Sequence, residues 1–468
     1  MTSHPPSSPV HRGMTLVEML VATTITLVMM GLVAQLFGAF GQGVTGSRSV
    51  IELTDQMRTV GWRLRQDLGG VTAPTIPPRR PEADEGYFEL LEGPATDANA
   101  SVIKASGDTA LLTADCDDAL LFTTRTPNAP FVGRFGTGTI ESPVAEVAWF
   151  CKPATQQLPG GPTLFTLYRR QLLVMDYVGV NPFQSTGNSL PWSAVGSWDS
   201  FYLSSDISCA LVSSTVPASQ PFLKPNSLRD LTMRENRYGH NPTGLVSALA
   251  FPYPVMLSPP GISPLSGARL GEDIVLNNVL AFDVRVLDPD APIQVASPGG
   301  AVTPGDPGFA VGSGTAGCGA YVDLFWNRAV TAGSPPGPGS PLMLFPPTGT
   351  TAFQSPGVYV AGTSAPNVKT LLGAVATGTA VYDTWSSHYE ANGINEDGDS
   401  DASGNPLIDE GTNGLDDNGN GLVDEPAEAE TSPPYPVPLR GIEVRIRCYE
   451  PSSRQVRQVT IRHTFVPY

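Results

Sequence analysis

The chain has 468 residues, a formal net charge of −17 and only 15% charged residues. An acidic chain of this kind does not support the basic surface that nucleic-acid binding requires, so no nucleic-acid partner is predicted. The 49 glycines and 46 prolines make up about a fifth of the residues, which favours β-structure with long irregular loops over a helical enzyme.

The first predicted element is an apolar helix over residues 19–40, within a charge-free stretch that extends to residue 47. At about 1.5 Å per residue, such a helix spans a hydrocarbon core of roughly 30 Å. A cleaved secretory signal is one alternative, but its apolar region is usually only about 7 to 15 residues long. A plain membrane anchor is the other, and it leaves the acidic Glu18 at the apolar boundary unexplained.

The residues before this helix stand in a specific order: Arg12, Gly13, Met14, then Thr15-Leu16-Val17 and Glu18. This order resembles the N-terminus of type IV prepilins, which pilins share with the pseudopilins of type II secretion. The resemblance implies that residues 1–13 are a leader, that prepilin peptidase cuts after Gly13, and that the new amine of Met14 is methylated. Met14 stands where the family usually has Phe.

The same resemblance implies an assembly role for Glu18, the fifth residue of the mature chain. In a filament of parallel helices, its carboxylate would pair with the N-terminal amine of an adjacent subunit. Because burying an isolated charge is unfavourable, this pairing would favour one register of subunits.

The helix is predicted to continue from a transmembrane half, residues 14–40, into an amphipathic half, residues 41–70. Apolar residues recur there every three or four positions, at Val50, Leu53, Met57, Val60, Leu64 and Leu68. Gly69-Gly70 is a helix stop signal. The segment 62–68 is similar to the helix end of J-type minor pseudopilins, and the family fold packs this half of the helix against a β-sheet.

Residues 71–468 are predicted to form a β-rich periplasmic or extracellular head. Strands are expected at 119–124, 145–150, 164–174 and 320–326, and residues 280–287 alternate as in a strand with one buried face. Residues 442–449 and 459–465 flank a turn and predict an antiparallel hairpin with Cys448 facing inward. Segments near 177–275, 290–316 and 330–365 are predicted to be long loop insertions. The expected fold class is therefore α+β and pilin-like.

An acidic segment covers residues 390–430, where 13 Asp or Glu occur without any Lys or Arg. It contains two related phrases, Leu407-Ile408-Asp409-Glu410 and Leu422-Val423-Asp424-Glu425. Oxygen-bearing residues precede each phrase at the spacing of an EF-hand loop, which places oxygen ligands around Ca²⁺. The candidate ligands are Asp416, Asn418, Asn420 and Asp424 in one copy, and Asp401, Ser403, Asn405 and Asp409 in the other.

Two departures weaken the EF-hand comparison. The twelfth place, normally a bidentate Glu, is Thr412 in one copy and Ala427 in the other, although Glu425 or Glu428 could substitute. The loops also lack obvious flanking helices. A solvated acidic loop without metal remains the alternative to a weak Ca²⁺ site.

The remaining residues give little sign of chemistry. The five cysteines are widely spaced without a C-x-x-C pair, which argues against zinc, while export would allow one or two disulfides. The five histidines are scattered, and neither G-x-S-x-G nor H-E-x-x-H occurs, so no enzyme activity is predicted.

The sequence thus predicts a structural minor pilin or pseudopilin of a type II secretion or type IV pilus system. It would lie in the bacterial inner membrane as a single-pass protein, with other pilin or pseudopilin subunits as partners. The first alternative is a membrane-tethered, calcium-binding adhesion protein outside the cytoplasm. The second, an anchored hydrolase, has no candidate residue set.

Overall fold

A computed structural model describes a little over 300 of the residues. These are residues 15–92, 101–103, 111–113, 115–157, 163–175, 183, 190–212, 221–240, 263–296, 299–306, 308–309, 314–324, 326, 380–395, 400–401, 403–424, 428–431, 433, 435 and 437–465, with only the backbone described at 39–47, 101–103, 111–113 and 380. The predicted leader and the segment 330–365 lie outside these residues.

The described residues fall into two compact units. The first comprises residues up to Asp55 together with the turn Glu450–Gln455, and the second comprises Gln56–Tyr449 and the residues from Val456 onward. The second unit holds most of the secondary structure.

The helices are α1 at Leu16–Gly69, α2 at Trp192–Val195, α3 at Trp198–Ser204 and α4 at Leu228–Thr232. The strands are β1 Phe88–Glu92, β2 Ser101–Ile103, β3 Leu111–Thr113, β4 Ala119–Arg125, β5 Phe131–Phe135, β6 Gly138–Ser142, β7 Val144–Pro153, β8 Phe165–Leu173, β9 Leu190–Pro191, β10 Cys209–Val212, β11 Phe222–Pro225, β12 Ile274–Ala296, β13 Gly300–Val302, β14 Gly317–Val322, β15 Ala380–Asp383, β16 Gly441–Glu450 and β17 Gln455–Thr464.

Ten strands form the main sheet. Eight of them run in the order β15-β1-β4-β7-β8-β12-β16-β17, and β13 and β14 pair with the long strand β12. A three-stranded sheet, β10-β11-β9, and the hairpins β2-β3 and β5-β6 complete the described strands. A long N-terminal helix with a large antiparallel sheet confirms the predicted α+β, pilin-like fold class.

Helix α1 is continuous for 54 residues through the glycine-rich stretch at 38–46. Its predicted apolar stripe is confirmed, because Met57, Val60, Leu64 and Leu68 are all at most 4% exposed. The helix ends at the predicted Gly69. A Cβ on Gly70 would lie 2.2 Å from the carbonyl oxygen of Arg125, so only glycine allows the chain to leave the helix against β4.

The main sheet is covered on both faces. Trp149 on β7 and Arg169 on β8 are paired in register, and both hydrogen-bond to Asp67 of α1. Glu146, which lies on the opposite face of β7, instead bonds to Ser208 and Tyr238. Because both faces are buried, β1, β4 and β7 lose the alternation of a half-exposed strand.

Most predicted strands are confirmed within one to three residues at each end. In the C-terminal hairpin, the inward residues Ile442, Val444, Ile446 and Cys448 are all at most 1% exposed. The strand predicted at 320–326 is shifted: it begins at Gly317 and ends at Val322, where a turn closes with Trp326 N–H donating to the Asp323 carbonyl oxygen.

Two predictions about the head were wrong. Residues 280–287 were expected to bury one face, yet Asp283 and Arg285 on the polar face are at most 1% exposed, because they form an ion pair of 3.0 Å. The segment 177–275 is not a plain loop either. Its described part forms α2 to α4 and β9 to β11, and Arg237 there binds Glu89 and Asp383 inside the sheet at 3.0 and 2.8 Å.

Candidate functional site: the helix start and the acidic loops

Glu18 lies in the first turn of α1 and is held by Thr15, the residue that caps the helix. The backbone N–H and the hydroxyl of Thr15 donate to Glu18 Oε2 at 2.8 and 3.0 Å. In return, the Glu18 N–H donates to the Thr15 hydroxyl oxygen at 3.3 Å. This reciprocal pair is a capping box, which satisfies helix N–H groups that have no partner within the helix.

The role of Thr15 as a partner of Glu18 was not predicted from the sequence. The signal was present in the spacing Thr15-x-x-Glu18 directly before an apolar run, which is typical of a capping box. Gly13 and Met14, the predicted cleavage and methylation positions, lie outside the described residues.

The part of α1 that follows is a free apolar surface within its own unit. Residues Leu16–Gly38 form a helix long and apolar enough to cross a membrane, and large side chains such as Leu27 and Phe37 are about 70% exposed, at 69% and 71%. The hydroxyls of Thr23 and Thr26 donate to backbone carbonyl oxygens one turn earlier. Their polar groups are therefore satisfied without water, as a membrane environment requires.

The acidic segment contains two loops with the same hydrogen-bond pattern. In the first, Gly393 N–H donates to both carboxylate oxygens of Asp409 at 3.0 Å. In the second, Gly414 N–H donates to Asp424 Oδ1 at 2.9 Å. Each glycine directly follows an asparagine. The side-chain oxygen of that asparagine accepts a hydrogen bond from the backbone N–H two residues further along the chain. The internal repeat seen in the sequence is thus a repeat of structure.

The predicted ligands at the start of each loop organise the backbone around them. Asp416 accepts from the N–H groups of Asn420 and Gly421 at 3.0 and 2.8 Å. Asp401 accepts from the N–H groups of Ser403 and Asn405, both at 2.8 Å. The hydrogen bonds from Asn405 and Ser403 lower the pKa of the exposed Asp401 carboxyl. The carboxylate is therefore held in its ionised form.

The two loops do not bring three carboxylates within 4.8 Å of one another among their described residues. The four remaining acids of the segment, at 396, 397, 399 and 425, lie outside those residues. What the structure brings together in the second loop is Asp416, Asn418 and Asn420, linked through the N–H of Asn420.

One buried and one half-buried glutamate contact the backbone next to these loops. Glu428 is 2% exposed, and its Oε1 accepts from the N–H groups of Asp417 and Asn418 at 2.6 and 3.1 Å. Glu390 accepts from Glu430 N–H and Thr431 N–H, both at 2.9 Å. Burial raises the pKa of the Glu390 carboxyl, against the opposing effect of its hydrogen bonds with Thr431.

Comparisons with known proteins agree with the N-terminal geometry. Residues 9–34 match the sequence model of the prokaryotic N-terminal methylation motif. This stretch includes Gly13, Met14 and Glu18, and the match supports a type IV pilin-like prepilin with an N-terminal membrane helix. No curated protein and no solved structure matches the chain.

Proposed function

We propose that this protein is a structural minor pilin or pseudopilin of a type II secretion or type IV pilus system. The observation that carries the proposal is the methylation motif at residues 9–34, combined with a continuous helix that is apolar and exposed at one end and buried at the other. One half of such a helix is available for lipid or for neighbouring subunits, while the other half is part of the head.

Processing at Gly13 is the first step that this function requires. Mass spectrometry of the protein purified from its native membrane should find a mature chain that begins with N-methyl-Met14. A chain that keeps Met1, or one cut beyond Phe40, would instead support a tethered adhesion protein or a secreted one.

Glu18 is proposed to set the register of subunits through its negative charge. In the described part of the chain, both Thr15 hydrogen bonds end on Oε2 of Glu18, which leaves Oε1 for the terminal amine of an adjacent subunit. The charge and the cap are separable, because Gln also completes a capping box. We expect Glu18→Gln to keep the cap and lose assembly, and Thr15→Val to lose the cap and keep assembly.

The test is the amount of each variant incorporated into sheared fibres or pseudopili, relative to its amount in the membrane. Incorporation of Glu18→Gln at the wild-type level would exclude the charge as the register contact. Loss of incorporation in Thr15→Val alone would assign the role to the cap.

We also propose that the acidic segment binds Ca²⁺, which would order loops that carry 13 of the negative charges. The matched hydrogen-bond pattern of the two loops and the buried Glu428 beneath one of them support this. Sites of this exposed, extracellular type bind with dissociation constants of about 10⁻⁴ to 10⁻³ M.

Calorimetry should therefore detect calcium binding that weakens in Asp416→Ala/Asp424→Ala. A matched control, Glu82→Ala/Glu141→Ala, removes two exposed acids elsewhere and should leave binding unchanged. Equal calcium heats in both double variants would contradict a site in the second loop.

A further inference from the structure

Five buried carboxylates, none of them in a motif visible in the sequence, meet inside the head. They come from four separate parts of the chain: the end of β1, the residues before β4, the middle of β12 and the residue after β14. They are Glu92, Asp115, Asp118, Asp283 and Asp323, and each is at most 2% exposed.

The carboxylate oxygens of this cluster form two overlapping groups of three, and each group is close enough to share one ion. Oxygens of Glu92, Asp115 and Asp323 lie within 4.8 Å of one another, and so do oxygens of Asp115, Asp118 and Asp283. Two oxygens that each lie 2.3–2.6 Å from one calcium ion are at most about 5 Å apart. Asp115 belongs to both groups and is therefore the centre of the cluster.

Hydrogen bonds occupy only some of the carboxylate oxygens in this cluster. Val284 N–H donates to Asp118 Oδ2 at 2.7 Å, and Leu324 N–H donates to Glu92 Oε2 at 3.3 Å. Among the described residues, both oxygens of Asp115 and Oε1 of Glu92 are buried without a hydrogen-bond partner. Buried polar atoms of this kind are rare in proteins and need an explanation.

Positive charge also reaches only some of the five carboxylates. Arg285 lies 3.0 Å from Asp283 and 3.3 Å from Asp323, but within the described residues no ion pair reaches Asp115 or Glu92. Burial and the charge of Asp118 raise the pKa of both these carboxyls well above the usual value. An uncompensated buried carboxylate costs several kcal/mol, so the cluster needs either protons or a cation.

We propose that this cluster is a binding site for one calcium ion, with Asp115 and Glu92 as its central ligands. All five side chains offer hard oxygen donors, which favour Ca²⁺, Mg²⁺ or Mn²⁺ over zinc and copper. Mg²⁺ keeps several water molecules and requires shorter bonds of about 2.0–2.1 Å. Several carboxylates in a buried site suit the larger ion, which takes six to eight oxygen ligands.

The ion would join strands that are distant in sequence. Glu92 and Asp283 are about 190 residues apart, and β1 and β12 are not neighbours in the sheet. Because calcium would bind the folded head and not the unfolded chain, it would stabilise the fold by an amount that rises with the logarithm of its concentration above the dissociation constant. This proposal is independent of the acidic loops at 390–430 and of assembly through α1.

The test uses the full chain in detergent with the exposed loops disabled by Asp401→Ala, Asp409→Ala, Asp416→Ala and Asp424→Ala. After extensive dialysis against calcium-free buffer and re-addition of 0.1 mM Ca²⁺ or of chelator, bound calcium is measured by elemental mass spectrometry and the melting temperature by calorimetry. We expect one ion per chain and a higher melting temperature with calcium.

The added substitution Asp115→Asn should remove that ion and the calcium-dependent rise in melting temperature. In chelator, the same substitution should raise the melting temperature, because it removes repulsion from Asp118 and Glu92. Glu146→Gln is the matched control, since Glu146 is also a buried carboxylate but accepts hydrogen bonds from Tyr87 and Ser208. It should keep the ion.

Two results would overturn the proposal. The loop-disabled chain could hold no calcium, an outcome that does not depend on whether any cluster variant folds. Alternatively, Asp115→Asn could retain the ion, which would leave shared protons as the compensation within the cluster.

Discussion

The buried acids of the head differ in the positive charges and hydrogen-bond donors that surround their carboxylates. This difference determines how the contribution of each acid to stability depends on pH. Asp67, Glu89 and Asp206 each contact at least one guanidinium group. For Asp206, burial alone would raise the pKa of the carboxyl. Attraction from Arg170 and hydrogen bonds from Arg269 outweigh this effect, and the pKa is lowered below its usual value.

Asp206 should therefore stabilise the head at neutral pH and lose that effect in acid. A carboxyl whose pKa is lower in the folded state contributes fully above its unfolded value of about 4, and this contribution disappears as pH falls through the folded value. We expect Asp206→Asn to lower the free energy of unfolding by about 3–5 kcal/mol at pH 7, and by less at pH 3.

Urea unfolding of the two proteins at both pH values measures this. The exposed Asp199→Asn is the control and should change the free energy of unfolding little. If the difference between wild type and Asp206→Asn were the same at pH 3 and pH 7, the carboxylate would not be the source of the stability.

Among the elements, the last turns of α1 determine how the helix joins the sheet. Asp67 accepts from Trp149 Nε1 at 2.9 Å and from Arg169 at 2.6 and 2.8 Å. Its backbone carbonyl accepts from the Thr124 hydroxyl at 2.7 Å. One residue of the helix thus contacts three adjacent strands, β4, β7 and β8.

Asp67→Asn should accordingly be among the most destabilising conservative changes in the helix. It leaves the buried Arg169 without its charged partner, which typically costs about 3–5 kcal/mol. The matched control is Glu52→Gln on the exposed side of α1, where Glu52 pairs with Arg48 and an exposed pair contributes about 0.3–0.5 kcal/mol.

Chemical denaturation of the two variants gives the comparison directly. Equal losses of stability in Asp67→Asn and Glu52→Gln would mean that Asp67 does not anchor the helix to the sheet.

Elements with a local pattern could be predicted from the sequence, and those that depend on distant pairing could not. The stripe from Met57 to Leu68 and the hairpin at 442–465 follow periods of about 3.6 and 2 residues, so their residues alone reveal the buried face. Glu18 was identified through a motif.

The segment 190–240 lacks such a period. Its Arg234 and Arg237 are stabilised by Glu89, about 145 residues away in the chain. The carboxylate cluster around Asp115 was missed for the same reason, because its members converge only when β1, β4, β12 and β14 have formed. For the acidic loops, the repeat was visible in the sequence. The hydrogen bonds from the N–H groups of Gly393 and Gly414 to the carboxylates of Asp409 and Asp424 were not.

At the scale of the whole molecule, α1 belongs to two units, and its apolar side chains are exposed in the first and buried in the second. Residues 16–38 expose apolar side chains, while Met57, Val60, Leu64 and Leu68 are core residues of the head. Burying four such side chains contributes about 6–12 kcal/mol, which is comparable to the total stability of a typical domain.

Two truncations should then behave very differently. A chain that starts at Gln56 loses the apolar surface and Leu53 but keeps the buried stripe from Met57 to Leu68, so we expect a detergent-independent protein whose melting temperature is within a few degrees of the full chain. A chain that starts at Val71 loses the stripe and Asp67, and we expect it to be unfolded.

Circular dichroism melts and size-exclusion chromatography distinguish these outcomes. A cooperative transition in the chain that starts at Val71 would show that the helix is not part of the core of the head.

The capping box at Thr15 has a consequence for a chain that is anchored in the lipid bilayer by its N-terminal helix. Its Glu18 carboxylate is already hydrogen-bonded to Thr15 of the same molecule. Outside a filament, the acid at the edge of the membrane therefore still has a hydrogen-bond partner. If the protein assembles as proposed, a neighbour's amine binds Oε1 of Glu18 while Thr15 keeps Oε2, so joining a filament does not break the capping box. The helix start would then have the same geometry in the membrane and in the filament, and a subunit that leaves a filament would return to the membrane with its capping box intact.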